Sequence, residues 1–146
     1  MIVLDAYAVL AFLKGEPAAP EVRSLLHDDE AAVLTVLGAA EVVDHLVRIV
    51  GVDEDEAALD LAQLGLFDAP PLDQATSVAA GLLRARHYHR TRCAVSLADC
   101  VAAASTRGLG ARLATSDPHL LDLCHAESIS THVLPGSDGT RWSPAP

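Results

Sequence analysis

Met1-Ile2-Val3-Leu4-Asp5-Ala6-Tyr7-Ala8-Val9-Leu10-Ala11-Phe12-Leu13 sets the architecture of this chain. Its opening is a short apolar run with branched side chains, the pattern of a strand buried on both faces. Asp5 follows at once, and then an apolar stretch of helical length that Gly15 and Pro17 close. A strand that passes through an acid into a helix is the start of a βα unit. The pattern recurs. Ala31 to Thr35 reads as a second strand, and Leu37 to Val50 as the helix after it, with Gly51 as its stop. Arg112 to Thr115 reads as a strand before a helix that Asp117-Pro118 opens, and His132-Val133-Leu134 as a last strand.

Further helices are predicted from Pro20 through Leu26, from Asp53 onward, from Asp73 to His89 and from Ser96 to Thr106. The acidic run at Asp53 sits where the positive helix end favours it. Leu66-Phe67 is expected to form a short strand ahead of Pro70-Pro71. Strands alternating with helices at these spacings predict an α/β fold, with a central parallel sheet of about four or five strands flanked by helices. Residues 1–135 read as one domain. The Gly/Pro/Ser-rich stretch 136–146 reads as a flexible tail, with Trp142 as its candidate anchor.

Composition excludes several classes. At 146 residues and 51% hydrophobic, the chain can bury a core and is not a disordered protein. Its longest uncharged apolar run, Ala31 to Ala40, stops at Glu41, well short of the roughly 20 residues that span a bilayer. Asp5 interrupts the apolar start and no basic segment leads it, so the reading is a cytoplasmic protein without a signal peptide. Cys93, Cys100 and Cys124 are odd in number and form no C-x-x-C pair, and no H-x-x-x-H pair exists, so zinc and disulfide frameworks are not indicated. A net charge of -10 argues against a general nucleic-acid coat. It leaves phosphodiester chemistry open if a divalent cation bridges the two negative partners.

Four acids carry the chemical signal, and each also has an ordinary structural explanation. Asp5 and Asp117 suit helix N-caps. Asp99 closes a capping box with Ser96, then leads into the apolar run Cys100-Val101-Ala102-Ala103-Ala104. Glu41 is the only charge between Ala31 and Val43, and an i,i+4 contact with His45 would explain it. As a set they say more. Asp5 and Asp117 lie at the carboxyl ends of predicted strands, where ligands bind in open α/β sheets. Converging carboxylates repel one another unless a cation joins them. All-oxygen ligation suits Mg²⁺ or Mn²⁺, which activates water and screens a phosphate.

The ordered set Ile2-Val3-Leu4-Asp5-Ala6, Ala39-Ala40-Glu41-Val42, Ser96-Leu97-Ala98-Asp99-Cys100 and Leu113-Ala114-Thr115-Ser116-Asp117 resembles the PIN-domain nucleases. The likeness is strongest to the VapC-type ribonuclease toxins of bacterial toxin–antitoxin pairs, and the Gly15-Glu16-Pro17 turn fits that group as well. It covers roughly residues 1–135 and implies the three-layer PIN-like fold. By resemblance, Asp5, Glu41, Asp99 and Asp117 are catalytic, with Asp5, Asp99 and Asp117 as metal ligands and Thr115 as a supporting polar residue. Glu41 either ligates the metal or positions water. The resemblance further implies Mg²⁺- or Mn²⁺-dependent RNA cleavage leaving a 5′-phosphate and a 3′-hydroxyl, a homodimer, and inhibition by a VapB-type antitoxin. Tyr7 departs from the pattern, since such toxins more often carry a small polar residue there. A phenol at that place narrows the site or alters the approach of substrate.

One basic segment stands out. Arg84, Arg86, Arg90 and Arg92 surround Tyr88, and the segment reads either as a solvated helix end or as an RNA contact with a stacking ring. Other enzyme classes fail on single residues. Position 7 is not the second Asp of a haloacid-dehalogenase-type phosphatase, and Lys14, the sole lysine, is not the late Lys of a response-regulator receiver. The surviving alternative is a PIN-like binding module without catalysis that docks a protein or RNA through the same acidic groove.

Overall fold

β1 (Ile2–Leu4) lies inside a four-stranded sheet of order β2-β1-β3-β4, with β2 at Ala32–Leu34, β3 at Arg112–Thr115 and β4 at Thr131–Val133. Every pairing is parallel, and Val3 stands opposite both Val33 and Leu113. The computed structural model describes all of residues 1–146.

The strands are short and apolar because both sheet faces are covered. Ile2, Leu4, Ala32, Leu34 and Ala114 point into one core. That core holds side chains of α1 (Ala6–Lys14), α2 (Ala19–His27), α3 (Val36–Asp44) and α4 (Glu54–Ala62). Val3, Val33 and Leu113 point into a second core with α5 (Gln74–His87), α6 (Leu97–Gly108) and α7 (Pro118–Ala126). This alternation along each strand makes the three layers. The chain leaves β1 toward β2 on one side and later returns to β3 on the other. The crevice between β1 and β3, at their carboxyl ends, is therefore the topological switch point where ligands bind in such sheets.

Two elements differ from the sequence reading. Leu66-Phe67 forms no strand: Phe67 donates one backbone bond to the Ala32 carbonyl, at 2.9 Å, and no ladder develops. Pro70 and Pro71 follow and have no N–H to extend it. The expected helix from Leu37 to Val50 is α3 followed by a π-helical turn, His45–Val50, which Gly51 ends in the left-handed region at φ 87°. Gly38 lets α3 approach β2 closely, because a Cβ there would stand 2.6 Å from Leu34 Cδ1. No helix is long and apolar enough to cross a membrane.

Beyond β4 the chain turns through Gly136–Thr140, where the Asp138 carboxylate accepts from the Thr140 amide and hydroxyl at 2.9 and 2.7 Å. Arg141 donates to the Val133 carbonyl at 2.8 Å and pairs with Glu21. Trp142 Nε1 donates to Asp122 at 2.8 Å, and its ring meets His125 edge-on.

Candidate active site

Asp5 is placed by β1: its amide donates to the Ala114 carbonyl of β3 at 3.0 Å, which holds it at the switch point. It stands at the N-cap position of α1, yet its side chain caps nothing. The carboxylate instead accepts a hydrogen bond from Thr115 Oγ1 at 2.8 Å. That hydroxyl also accepts from the Asp117 amide at 3.1 Å, so one threonine ties the ends of β1 and β3 together. Asp117 does cap its helix: Oδ1 accepts from the His119 amide at 2.8 Å. Asp99 likewise completes its capping box, accepting from the Ser96 amide at 2.8 Å through Oδ2. Glu41 is half-buried and makes no hydrogen bond or ion pair. The contact with His45 that would explain it is not made, because His45 accepts from Lys14 Nζ at 3.4 Å and meets the Tyr7 ring edge-on.

The charges of Asp99, Asp117 and Glu41 all reach Asp5. Burial, and then the Asp99 charge, push the Asp5 carboxyl from its ordinary 3.8 up to about 7. The Thr115 hydrogen bond opposes the rise, while Asp117 and Glu41 add to it. Burial raises Asp99 as well, with Asp117 adding and the Ser96 amide resisting. Burial and then Asp99 raise Glu41. Burial and the charges of Glu41, Asp5, Asp99 and Asp117 raise the Tyr7 phenol, so Tyr7 stands at the rim of the acid cluster.

An implied divalent cation can be tested on this donor set. The donors are carboxylate oxygens alone, mutually repelling, with Asp5 uncommitted to any cap. That chemistry fits a hard cation. No three His, Cys, Asp or Glu side chains close into a ready metal cage. The fit is accordingly to a cation that keeps several waters and uses few carboxylates, as Mg²⁺ does.

The family model of the PIN domain matches residues 2–126, nearly the whole chain. The chain belongs to the PIN-domain family. Solved structures agree on the fold. This PIN domain is similar, at 14% identity and a TM-score of 0.67, to a crystal structure of VapBC2 from Rickettsia felis bound to a DNA fragment from their promoter, with 90% of this chain and 98% of that one covered. It is similar to FitAcB from Neisseria gonorrhoeae at 20% identity and 0.65, covering 90% and 96%. It is also similar to a toxin–antitoxin complex from Klebsiella pneumoniae at 14% and 0.60, covering 80% and 87%. No curated protein matches by sequence.

The basic segment of the PIN domain divides in two. Arg84 lies over the Tyr88 ring at 4.1 Å and donates to the Val95 carbonyl, and Arg86 is drawn to Glu127 at 3.8 Å. Arg90 and Arg92 are exposed, their side chains unpaired, on a turn closed by mutual backbone bonds between His89 and Cys93. His119, two residues beyond Asp117, holds that turn through the Arg92 carbonyl at 3.1 Å. Sequence reasoning missed His119, since nothing local links it to residues 89–94. His119 thus links the turn that carries these free cations to the start of α7, which Asp117 caps. If the domain takes RNA, as the sequence reading expects, replacing both Arg90 and Arg92 by Ala should flatten the salt dependence of binding by about 1.4 in log–log slope, the value for two lost single-strand phosphate contacts. Filter binding at several salt concentrations measures it, and an unchanged slope would make the turn a bystander.

Thr115 offers a second test. Thr115→Val keeps the volume but deprives Asp5 of its donor and the Asp117 amide of its acceptor. The expected loss is about 1–3 kcal/mol of stability in urea unfolding, with Thr115→Ser largely restoring it.

Proposed function

We propose that this PIN domain is a divalent-metal-dependent endoribonuclease acting as the toxin of a toxin–antitoxin pair. The observation that carries the reading is Asp5: a buried carboxyl pushed up to about 7 by burial and by three further acids, and left out of the helix cap its position invites. A cluster so costly in isolation is the expected cost of a cation site. Asp5 and Asp99 would hold Mg²⁺ or Mn²⁺, with Asp117 completing the site directly or through water. The bound cation would supply Lewis-acid charge, lowering the pKa of water and screening the phosphate. Glu41, half-buried and unpaired, is the acid free to orient water and take its proton. Thr115 fixes Asp5 and the start of α7 relative to each other.

The toxin role is supported by the company the fold keeps. The Klebsiella pneumoniae structure is a toxin–antitoxin complex, and the VapBC2 structure is bound to a DNA fragment from their promoter. We extend that to a VapB-type antitoxin partner, a homodimer and a cytoplasmic setting. The antitoxin's C-terminal segment would place an Arg or Lys among the four carboxylates, where a guanidinium makes bidentate contacts.

A second reading rests on Tyr7, 52% exposed at the rim of the acids: a PIN-like module that binds RNA or protein without cleaving. Purified protein incubated with unpaired RNA, with Mg²⁺ or Mn²⁺ and then with chelator, separates the two. The endoribonuclease reading expects cleavage that chelator and Asp99→Asn both abolish. Cleavage that survives both would sink the mechanism. Binding without cleavage in either metal would leave the module.

A further inference from the structure

An open groove of about 700 Å³ begins at Asp117 and runs away from the acids. Its walls are α1, through Tyr7, Leu10 and Lys14, the junction Ser116–Pro118, and the turn of chain from Gly136 to Trp142. We propose that this groove is the base-binding part of the substrate path, taking an unpaired nucleobase of an RNA strand against Tyr7 and Trp142. The proposal rests on the endoribonuclease reading and names the form of RNA that the site accepts.

Aromatic placement is the first argument. The chain has only two Tyr, two Phe and one Trp, and Tyr7 and Trp142 both line this groove. Tyr7 is half-exposed on an otherwise buried stretch of α1, so the core does not account for it. Bases stack on such rings with little regard to sequence.

Charge is the second. Lys14 pairs with Glu16 at 3.3 Å, Arg141 pairs with Glu21, and the Asp138 carboxylate is taken up by Thr140. The wall beyond Asp117 thus offers no unpaired cation, and it presents rings and the hydroxyl-bearing residues Ser116, Ser137 and Thr140. With every cation of the wall paired, a flat, hydrogen-bonding ligand suits it better than a phosphate. Phosphates have Arg90 and Arg92, unpaired on the turn that His119 holds beside the same end of α7. A strand would therefore cross the acids with its backbone toward that turn and a base in the groove. Bases stacked within a duplex cannot turn a face to a ring, so the RNA must be single-stranded there.

Preorganisation is the third. Trp142 is bonded to Asp122, and Arg141 to Val133 and Glu21, so this wall is fastened to the body of the domain. The volume falls within the range of about 300–1,000 Å³ usual for small-ligand sites.

Trp142 is the only tryptophan, so its emission reports on the groove directly. The experiment titrates the full chain, in chelator to prevent cleavage, with a short single-stranded RNA, the same sequence as a duplex, and an arginine-bearing peptide. Saturable quenching by the single strand and not by the duplex is expected. Tyr7→Ala should weaken that binding about tenfold, whereas Tyr7→Phe, which keeps the ring, should stay within about twofold. Anisotropy of a labelled strand repeats the measurement without using Trp142. Tyr7→Ala binding as tightly as the wild type would overturn the proposal, as would quenching by the peptide but not by RNA. Cleavage in Mn²⁺ with KM unaltered by Tyr7→Ala would sink the groove and spare the nuclease reading. Tyr7-dependent binding without cleavage in any metal would do the reverse.

Discussion

Asp5→Asn is expected to lower RNA cleavage by about a thousandfold or more while making the metal-free protein more stable at neutral and higher pH. On the proposed mechanism the loss of activity follows from removing a charge that would face the metal and that a neutral amide does not replace. The gain follows from the cost of keeping that charge in the apo fold. Asp5 is buried, 5% exposed, and its carboxyl is held up at about 7 by burial and by Asp99, Asp117 and Glu41. Asn keeps an oxygen to accept from Thr115 and presents no charge to its neighbours. A rise from 3.8 to about 7 bounds the gain near 4 kcal/mol, and about 2 kcal/mol is the expected size. Urea unfolding in chelator, paired with a cleavage assay in Mn²⁺, reads both effects. An Asn variant that loses activity and stability together would mean that Asp5 is a structural acid.

In chelator, stability should peak near pH 5 and fall as pH rises toward 8. The folded-state values of Asp5, Asp99 and Glu41 all lie above their ordinary ones. Between about pH 4 and pH 7 the folded protein therefore binds more protons than the unfolded chain. The contribution of protonated Asp5 is complete below about pH 4 and is lost as pH rises through about 7, and Asp99 and Glu41 act in the same direction. On the acid side the sign reverses. Glu30 and Glu127 are held down at about 2, chiefly by hydrogen bonds from Arg112 and Arg107, so their contribution disappears as pH falls below the ordinary Glu range. On the proposed mechanism Mn²⁺ would bind the ionised acids and restore stability at pH 8 in proportion to the logarithm of its concentration. Melting curves at several pH values, with and without Mn²⁺, test this. Stability that rises steadily from pH 5 to 8 without metal would show that the four acids do not share one site.

The strand–acid–helix junctions were readable because they are local. Ile2-Val3-Leu4 is apolar on both sides of its pleat, so it had to be an interior strand, and an acid immediately after such a strand sits on the sheet rim whatever the rest of the chain does. The same reasoning reached β3 and Asp117. It failed at Leu66-Phe67, whose residues suit a strand but whose surroundings supply one backbone partner and then two prolines. It also missed the π-helical turn at His45–Val50, since an apolar, evenly spaced run looks the same for either helix.

The acids themselves mark the boundary between local and tertiary information. Composition and spacing were enough to nominate Asp5, Asp99 and Asp117 and to show that each could cap a helix. Asp99 and Asp117 do cap, with partners two or three residues away. Asp5 does not, because Thr115, 110 positions on, is brought to its side by the pairing of β1 with β3. In the same way Trp142 reaches Asp122, and His119 reaches the Arg92 turn, only in the folded chain. A short polar side chain chooses between an amide in its own turn and a distant donor by distance alone. The first distance is set by the backbone geometry of a few consecutive residues, and the second by how whole strands and helices pack.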